Sequence, residues 1–437
     1  MKNLFSNIKQ KIPAGYGVYI LIVISMYLLF FEEPAAKHDF IVSSVYRNLL
    51  PALAVFLFLK DLPDDKKVLR SLFSPFIVCG LVVAAGGMIG FLIYHYQSFG
   101  ITLYALYGHL RFWLSLYFFY RVGRAFDAER YARRLFIHTA LLSLTLSLLC
   151  FTDFFLHIWP RQIYRYGIGS IQLFFGHPSN LGARAVFLLA MLCYLYPYFE
   201  KSTKSSASFR VPAAILSLCQ LMICLMTLRY RLFGFAAFFM VLYLYMVVLR
   251  KKLRPAAVLV SAAAALAVGW KRLYGFYIAP QSWSSARGQI TEKSFLIAHE
   301  HFPFGSGFGT FGSRFAQMYY SPLYIKYGLM TTVGLSPEHR NYACDTFFPS
   351  ILAESGWFGF CAYLGLILLL AALIFQLQDS VPYTERSAFH TFTAIILIMY
   401  ELLEATGTLA FSETYSVMIA LVIGLAVASL RSDSVSA

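Results

Sequence analysis

Apolar runs about as long as a bilayer is thick recur along the whole chain, and no other feature restricts the fold so strongly. A helix needs roughly 20 such residues to cross the hydrocarbon core. Windows of that length predict spans near 16–31, 41–59, 74–96, 100–120, 135–156 and 178–199. Six more are predicted near 211–228, 232–249, 256–274, 351–375, 387–405 and 414–430. The expected fold class is all-α, a polytopic integral membrane protein of about 12 transmembrane helices. Composition agrees: 59% of residues are hydrophobic and 13% charged, where a soluble domain carries about 25% charged residues. A single membrane domain over 1–437 is expected, not an anchored soluble one. The first helix is not followed by a small-residue cleavage site and is expected to be a retained span. Most of the seven cysteines sit inside apolar runs without metal-type spacing and read as buried structural thiols.

The net charge of +15 is distributed by side of the membrane and does not point to nucleic acid. With the amino terminus in the cytoplasm, the inner segments hold Lys2, Lys9 and Lys11; Lys60, Lys66, Lys67 and Arg70; and Arg121, Arg124, Arg130, Arg133 and Arg134. They also hold Lys201, Lys204 and Arg210; Arg250, Lys251, Lys252 and Arg254; Arg386; and Arg431. The short outer loops are poor in Lys and Arg, so the positive-inside rule puts both termini in the cytoplasm.

The main interruption runs over residues 271–345, between the ninth and tenth predicted spans. It is rich in Tyr, Phe and Gly and includes the helix-like "SARGQITEKSFLIAHEHF". Disordered segments have few aromatics, so a folded outer cap is expected here. His299 and His301 are spaced i, i+2, which puts them on different helix faces and argues against a metal pair.

Ionisable residues inside a span cost several kcal/mol unless they face a partner or a cavity. The sequence places Arg47, Arg111, Arg184, Glu401 and Glu404 in or near spans, with His109 and His177 close by, and Arg229 and Arg231 at an outer turn. None falls in the inner third. Each arginine alone could pair with a helix C-terminus or carboxylate, or snorkel to the interface. As a one-sided set they form a basic region that a lipid diphosphate headgroup would neutralise, since guanidinium binds phosphate in bidentate fashion.

Several segments resemble one known group. "RGQITEKSFLIAHEHFPFGSGFGTFGSRF" (287–315) and "DTFFPSILAESGWFGFCAYLGLILLL" (345–370) are similar to the large outer loop and following helix of the O-antigen polymerase and O-antigen ligase superfamily. "FGHPSNLGARAVFLLA" and "MTLRYRLFGFAAFF" are similar to its HPN and T-x-SR helix starts, with Tyr230 where Ser is common. The resemblance covers roughly residues 160–375. In the ligases a His and an Asn, Ser or Gln precede nine residues and a Gly-x-x-Gly spacing. Here Asp345 and Thr346 hold the first two places, ahead of Gly356 and Gly359, which favours a polymerase over a ligase.

The resemblance implies a bacterial plasma (inner) membrane glycosyltransferase. It would polymerise undecaprenyl-diphosphate-linked repeat units into O-antigen, capsular or exopolysaccharide at the outer leaflet. Its partners would be those lipid-linked glycans, the bilayer, a chain-length regulator and a flippase. Such chemistry needs cations to hold the departing diphosphate and a base to accept the hydroxyl proton. Arg184, Arg229, Arg231, Arg287 and Arg314, with His177, are candidates for the first role. Asp345, His339, Glu338 and Glu354 are candidates for the second, Glu354 alternatively shaping the turn into the tenth span. Gly305, Gly307 and Gly309 would form a turn whose amides approach an oxyanion, or only a flexible corner. No acidic cluster implies a metal, and no cofactor is expected. The alternatives are a ligase with another acceptor, and a 12-helix transporter or lipid-linked sugar flippase; no internal repeat of the kind transporters show is found.

Overall fold

A computed structural model describes residues 15–37, 41–61, 74–161, 163–165, 167–199 and 207–436. The basic residues Lys2, Lys9, Lys11, Lys66, Lys67, Arg70, Lys201 and Lys204, counted above as cytoplasmic, lie outside the described residues. The chain is almost wholly helical. In order come α1 (Tyr16–Phe30), α2 (Glu32–Lys37), α3 (Val42–Asp61), α4 (Ser74–Tyr94), α5 (Phe99–Arg124), α6 (Ala128–Leu156), α7 (Pro178–Leu195) and α8 (Ala207–Met226). They are followed by α9 (Tyr230–Tyr243), α10 (Pro255–Leu273), α11 (Ala286–Glu300), α12 (Arg314–Tyr319), α13 (Pro322–Lys326), α14 (Phe347–Asp379), α15 (Glu385–Glu404) and α16 (Ser416–Ser436). A two-residue antiparallel ribbon, β1 (Tyr164–Arg165) and β2 (Ile168–Gly169), joins α6 to α7.

Each predicted span coincides with a helix, and nine helices among the described residues are long and apolar enough to cross a membrane. The other three differ for visible reasons. Helix α1 and the apolar part of α3, Val42–Leu57, are shorter, while the 26-residue α5 is diluted by Arg111, Arg121 and Arg124. Helices α7, α15 and α16 form the enclosed centre, and their neighbours turn one apolar face outward. Close approach at the centre depends on small residues. A Cβ at Gly424 of α16 would lie 2.8 Å from the Phe119 backbone of α5. Polar side chains start the helices where the apolar pattern begins: the Asp127 carboxylate accepts the Arg130 amide at 3.1 Å, and Thr384 and Ser387 form a capping box.

Segments expected on the inner side meet at one end of the bundle. There Arg386 pairs with Glu129 at 2.9 Å and Asp433 at 3.5 Å, Arg210 pairs with Glu385 at 2.9 Å, and Lys252 donates to the Val381 carbonyl at 2.8 Å.

At the opposite end residues 271–345 fold onto the helices with a small core of their own, including Ile290, Ile297, Phe311, Tyr324 and Leu335 together with Ala353 of α14. The Gly-rich turn of this segment wedges between α4, α5 and α14. The Ser306 and Gly307 amides donate to the Ala353 and Glu354 carbonyls at 2.9 and 3.0 Å. Those carbonyls are free because α14 is broken at Gly356, which adopts φ 69° and ψ −173°. Phe308, fully buried, fills the space beside Gly87 of α4, a burial worth roughly 1.5–3 kcal/mol. Gly305, Gly307 and Gly309 have φ of +74°, +98° and +79°, which only glycine adopts at little cost.

Candidate functional site

Under this folded segment lies a cavity of about 930 Å³. Its walls come from α2, α3 and α5, the starts of α7, α9 and α12, the first turn of α11, residues 341–345, and the connection between α15 and α16. Along α5 it reaches Arg111, 12 residues past Phe99, which at 1.5 Å per residue is about 18 Å of helix.

Six arginines line it (Arg47, Arg111, Arg229, Arg231, Arg287 and Arg314) against three carboxylates, Glu33, Asp345 and Glu413. Arg287 Nη2 meets Asp345 Oδ2 at 2.9 Å and stacks over Phe276, its guanidinium carbon 4.7 Å from the ring centre. Arg231 Nη1 lies 3.3 Å from Glu404 Oε2 and donates to the Glu404 carbonyl at 3.1 Å, while its Nη2 donates to Ser179 Oγ. Arg47 pairs with Glu32 behind the wall. Arg111, Arg229 and Arg314 have no carboxylate within ion-pair distance among the described residues: Arg111 donates to the Ser412 carbonyl, Arg229 to His177, and Arg314 to Gln317, with Glu413 and Glu404 acting on Arg111 and Arg229 only from further off.

His177 caps α7, and both its neighbours are donors: the Ser179 amide reaches Nδ1 at 3.3 Å and the Arg229 guanidinium meets Nε2. The neutral ring has one lone pair and can accept from only one of these donors; protonating it would set an N–H against both. Burial, then the charges of Arg229 and Arg231, push its pKa down to about 3, so it is neutral at pH 7. Burial and Arg231 lower Arg229 to about 10, which leaves it charged.

His109 also faces the cavity. Its Nε2 is 2.9 Å from Glu354 Oε2 and its Nδ1 is 3.1 Å from Ser412 Oγ, while Glu354 Oε1 accepts the Phe311 amide at 3.0 Å.

Of the residues singled out from sequence, Arg229, Arg231, Arg287, Arg314, His177 and Asp345 converge on this one cavity. Arg184 does not line it. It is wholly buried behind the wall, donating to the Phe30 and Asn180 carbonyls at 3.3 and 3.0 Å and lying 3.7 Å from Glu33. Its place is that of a brace for Glu33. His339 and Glu338 are exposed to solvent and outside the lining. Gly305, Gly307 and Gly309 are a correction: the turn is packed into the helices, and the Gly307 amide is committed to a backbone carbonyl. Glu354 is enclosed beneath His109 and contacts the site only through it.

Sequence reasoning counted Arg47 and Arg111 in the one-sided basic set without naming either for the departing diphosphate, and gave His109 no role. It missed Glu33, Ser412 and Glu413, of which the two acids carry a weak signal, lying at the ends of apolar runs in "FFEEP" and "FSETY". Chemically the cavity is suited to a polyanion, because hydrogen bonds to charged groups contribute roughly 1.5–3 kcal/mol each. Comparison with protein-family models and with curated proteins finds no match to this chain.

Proposed function

We propose that this chain is a membrane glycosyltransferase that extends polysaccharide from lipid-diphosphate-linked repeat units at the outer leaflet of a bacterial plasma membrane. In this reading twelve helices span the bilayer and both termini are cytoplasmic. The observation that carries it is the excess of six arginines over three carboxylates in one cavity, three of the arginines having no carboxylate within ion-pair distance among the described residues. Of these three Arg111 is buried, Arg229 half-buried and Arg314 exposed, and for the enclosed ones a guanidinium is costly unless an anion offsets its desolvation. A diphosphate does so, and it needs the most stabilisation as the glycosyl bond breaks and negative charge develops on it. The cavity's position supports the same reading. It runs down from the folded segment along α5 as far as Arg111, the depth at which the headgroup of a membrane-borne isoprenoid diphosphate would have to be met. The arginine-rich cavity lies at one end of the bundle, away from the Arg386 and Arg210 ion pairs, which favours chemistry at one face over passage through the protein.

Arg111, Arg229 and Arg231 would hold the leaving diphosphate, with Arg287 and Arg314 at the folded segment meeting the glycan side. Asp345 would fix Arg287. The test is reconstitution in vesicles with an undecaprenyl-diphosphate-linked repeat unit. A ladder of product lengths is expected. One transfer to a different acceptor would replace polymerase with ligase, and movement of the lipid across the bilayer without new glycosidic bonds would replace the enzyme with a flippase.

A further inference from the structure

We infer that His109, held by Glu354 and reached through Ser412, accepts the proton of the attacking sugar hydroxyl; this rests on the glycosyl-transfer reading above. The case begins with elimination among the wall residues. Asp345 is 2.9 Å from Arg287 and Glu33 is 3.7 Å from Arg184, so both are engaged by guanidinium groups, and the third wall carboxylate, Glu413, lies within electrostatic reach of Arg47 and Arg111. His177 meets two donors and has no free lone pair to offer a substrate.

His109 is arranged differently. Glu354 Oε1 already accepts the Phe311 amide, so the carboxylate is an acceptor on both oxygens and His109 Nε2–H donates to Oε2 at 2.9 Å. That fixes the tautomer and leaves the Nδ1 lone pair for the Ser412 hydroxyl at 3.1 Å. The remaining groups against the ring are Phe308 and Phe347, and the Tyr363 hydroxyl donates to the His109 carbonyl at 3.4 Å. Arg111, two residues on along the same helix, is turned away to the Ser412 carbonyl. Ser412 thus joins the two requirements of the reaction, its carbonyl bound by a phosphate-binding cation and its hydroxyl by the base. A pair that served packing alone would not end in a hydroxyl on the cavity wall.

In the step that follows, the bond from the anomeric carbon to the diphosphate oxygen breaks, and its electron pair stays on the diphosphate among the arginines. The acceptor oxygen bonds to that carbon. Its proton passes to Ser412 Oγ as the serine proton moves to His109 Nδ1, giving an imidazolium beside the Glu354 carboxylate. The proton then returns to cavity water.

The experiment compares vesicle-reconstituted wild type with His109→Ala, His109→Asn, Glu354→Gln and Ser412→Ala. It measures elongation of an undecaprenyl-diphosphate-linked repeat unit and, separately, binding of undecaprenyl diphosphate. His109→Ala and His109→Asn are expected to lose about 10²–10⁴-fold in turnover with carrier affinity unchanged within about threefold, and Glu354→Gln and Ser412→Ala to lose less. Added imidazole is expected to restore part of the turnover of His109→Ala. If that variant does not fold, His109→Asn and Ser412→Ala carry the same test. Turnover near wild type in either His109 variant overturns the inference, as does a loss matched by an equal loss of carrier binding. Absence of elongation by wild type overturns the functional reading along with it, whereas active wild type and active His109 variants sink this inference alone.

Discussion

Both ends of the helical bundle gather arginines, and they are used in opposite ways. At the end expected to be cytoplasmic, Arg210 and Arg386 are partly exposed and each meets a carboxylate that is also partly open to solvent. At the other end Arg111 and Arg231 are buried, the cavity holds twice as many arginines as carboxylates, and three have only neutral acceptors among the described residues. Charge at the first end answers to the positive-inside rule and to solvent. Charge at the second, most of all at Arg111, is partly removed from water without full compensation, a condition that a structure tolerates for an anionic occupant.

The sharpest way to break this contrast is at Arg231. Its removal strands Glu404, whose side chain is 1% exposed, next to no other cation within ion-pair distance among the described residues. Breaking a buried pair from one side typically costs about 3–5 kcal/mol, so Arg231→Ala is expected to lower the unfolding midpoint markedly in detergent. Replacing both partners, as Arg231→Met with Glu404→Gln, should recover most of that stability while carrier binding stays lost. If the double variant still binds undecaprenyl diphosphate like wild type, Arg231 serves only Glu404.

Arg111 and Arg229 test the excess charge itself. Neither completes an ion pair, so their removal should leave the fold nearly intact and act on the bound anion. Loss of one such preorganised donor commonly costs about 10²–10³-fold in rate, and Arg111→Gln or Arg229→Gln is expected to fall in that range for elongation. Wild-type turnover in both would remove the central argument for a diphosphate.

How much of this was legible beforehand follows from the distance over which each feature acts. Apolar runs report the helices directly, because the bilayer leaves a backbone no other way to satisfy itself. An arginine in an apolar run also stands out locally, and topology then puts Arg229 and Arg231 at an outer turn and Arg111 near the middle of its helix, none of them in the inner third. What sequence could not register is who meets whom. His109 and Glu354 are 245 residues apart, and neither looks unusual until α5 and α14 are laid together. Motif spacing selects Asp345, with His339 six residues upstream as a second candidate, and the chain turns between them, exposing His339 while bringing Asp345 to Arg287. The Gly-rich turn read as an anion cradle because glycines with free amides make one. The Ser306 and Gly307 amides are claimed by carbonyls exposed at the Gly356 break, which no local pattern announces, and the Gly305 amide by His301.

A smaller effect should appear in pH. His177 has its pKa pushed down to about 3 from 6.5, by burial first and then by Arg229 and Arg231. Below about pH 6.5 the unfolded chain therefore binds the proton that the native site refuses. Stability is full above that pH and declines as pH falls toward 3. A drop of about 1–2 kcal/mol is expected between pH 6.5 and pH 5. His177→Asn keeps a side-chain acceptor for the start of α7 and should flatten this part of a melting-temperature profile. An unchanged slope in that variant would assign the pH response to other groups.

The smallest effect belongs to the opposite end and completes the contrast. Arg210 and Glu385 are each about 30% exposed, and exposed pairs contribute roughly 0.2–1 kcal/mol. Arg210 also lies over Tyr196, 5.2 Å from its ring centre, so Arg210→Ala alone mixes lost packing with lost charge. A double-mutant cycle with Glu385→Ala separates the two, and a coupling below about 1 kcal/mol is expected, shrinking as salt is raised. Elongation should be unaffected in all three variants, because nothing connects this pair to the cavity except the length of the helices between. If Arg210→Ala reduced turnover as Arg111→Gln is expected to, arginine would be doing the same task at both ends, and the cavity's uncompensated charge would no longer mark the site of reaction.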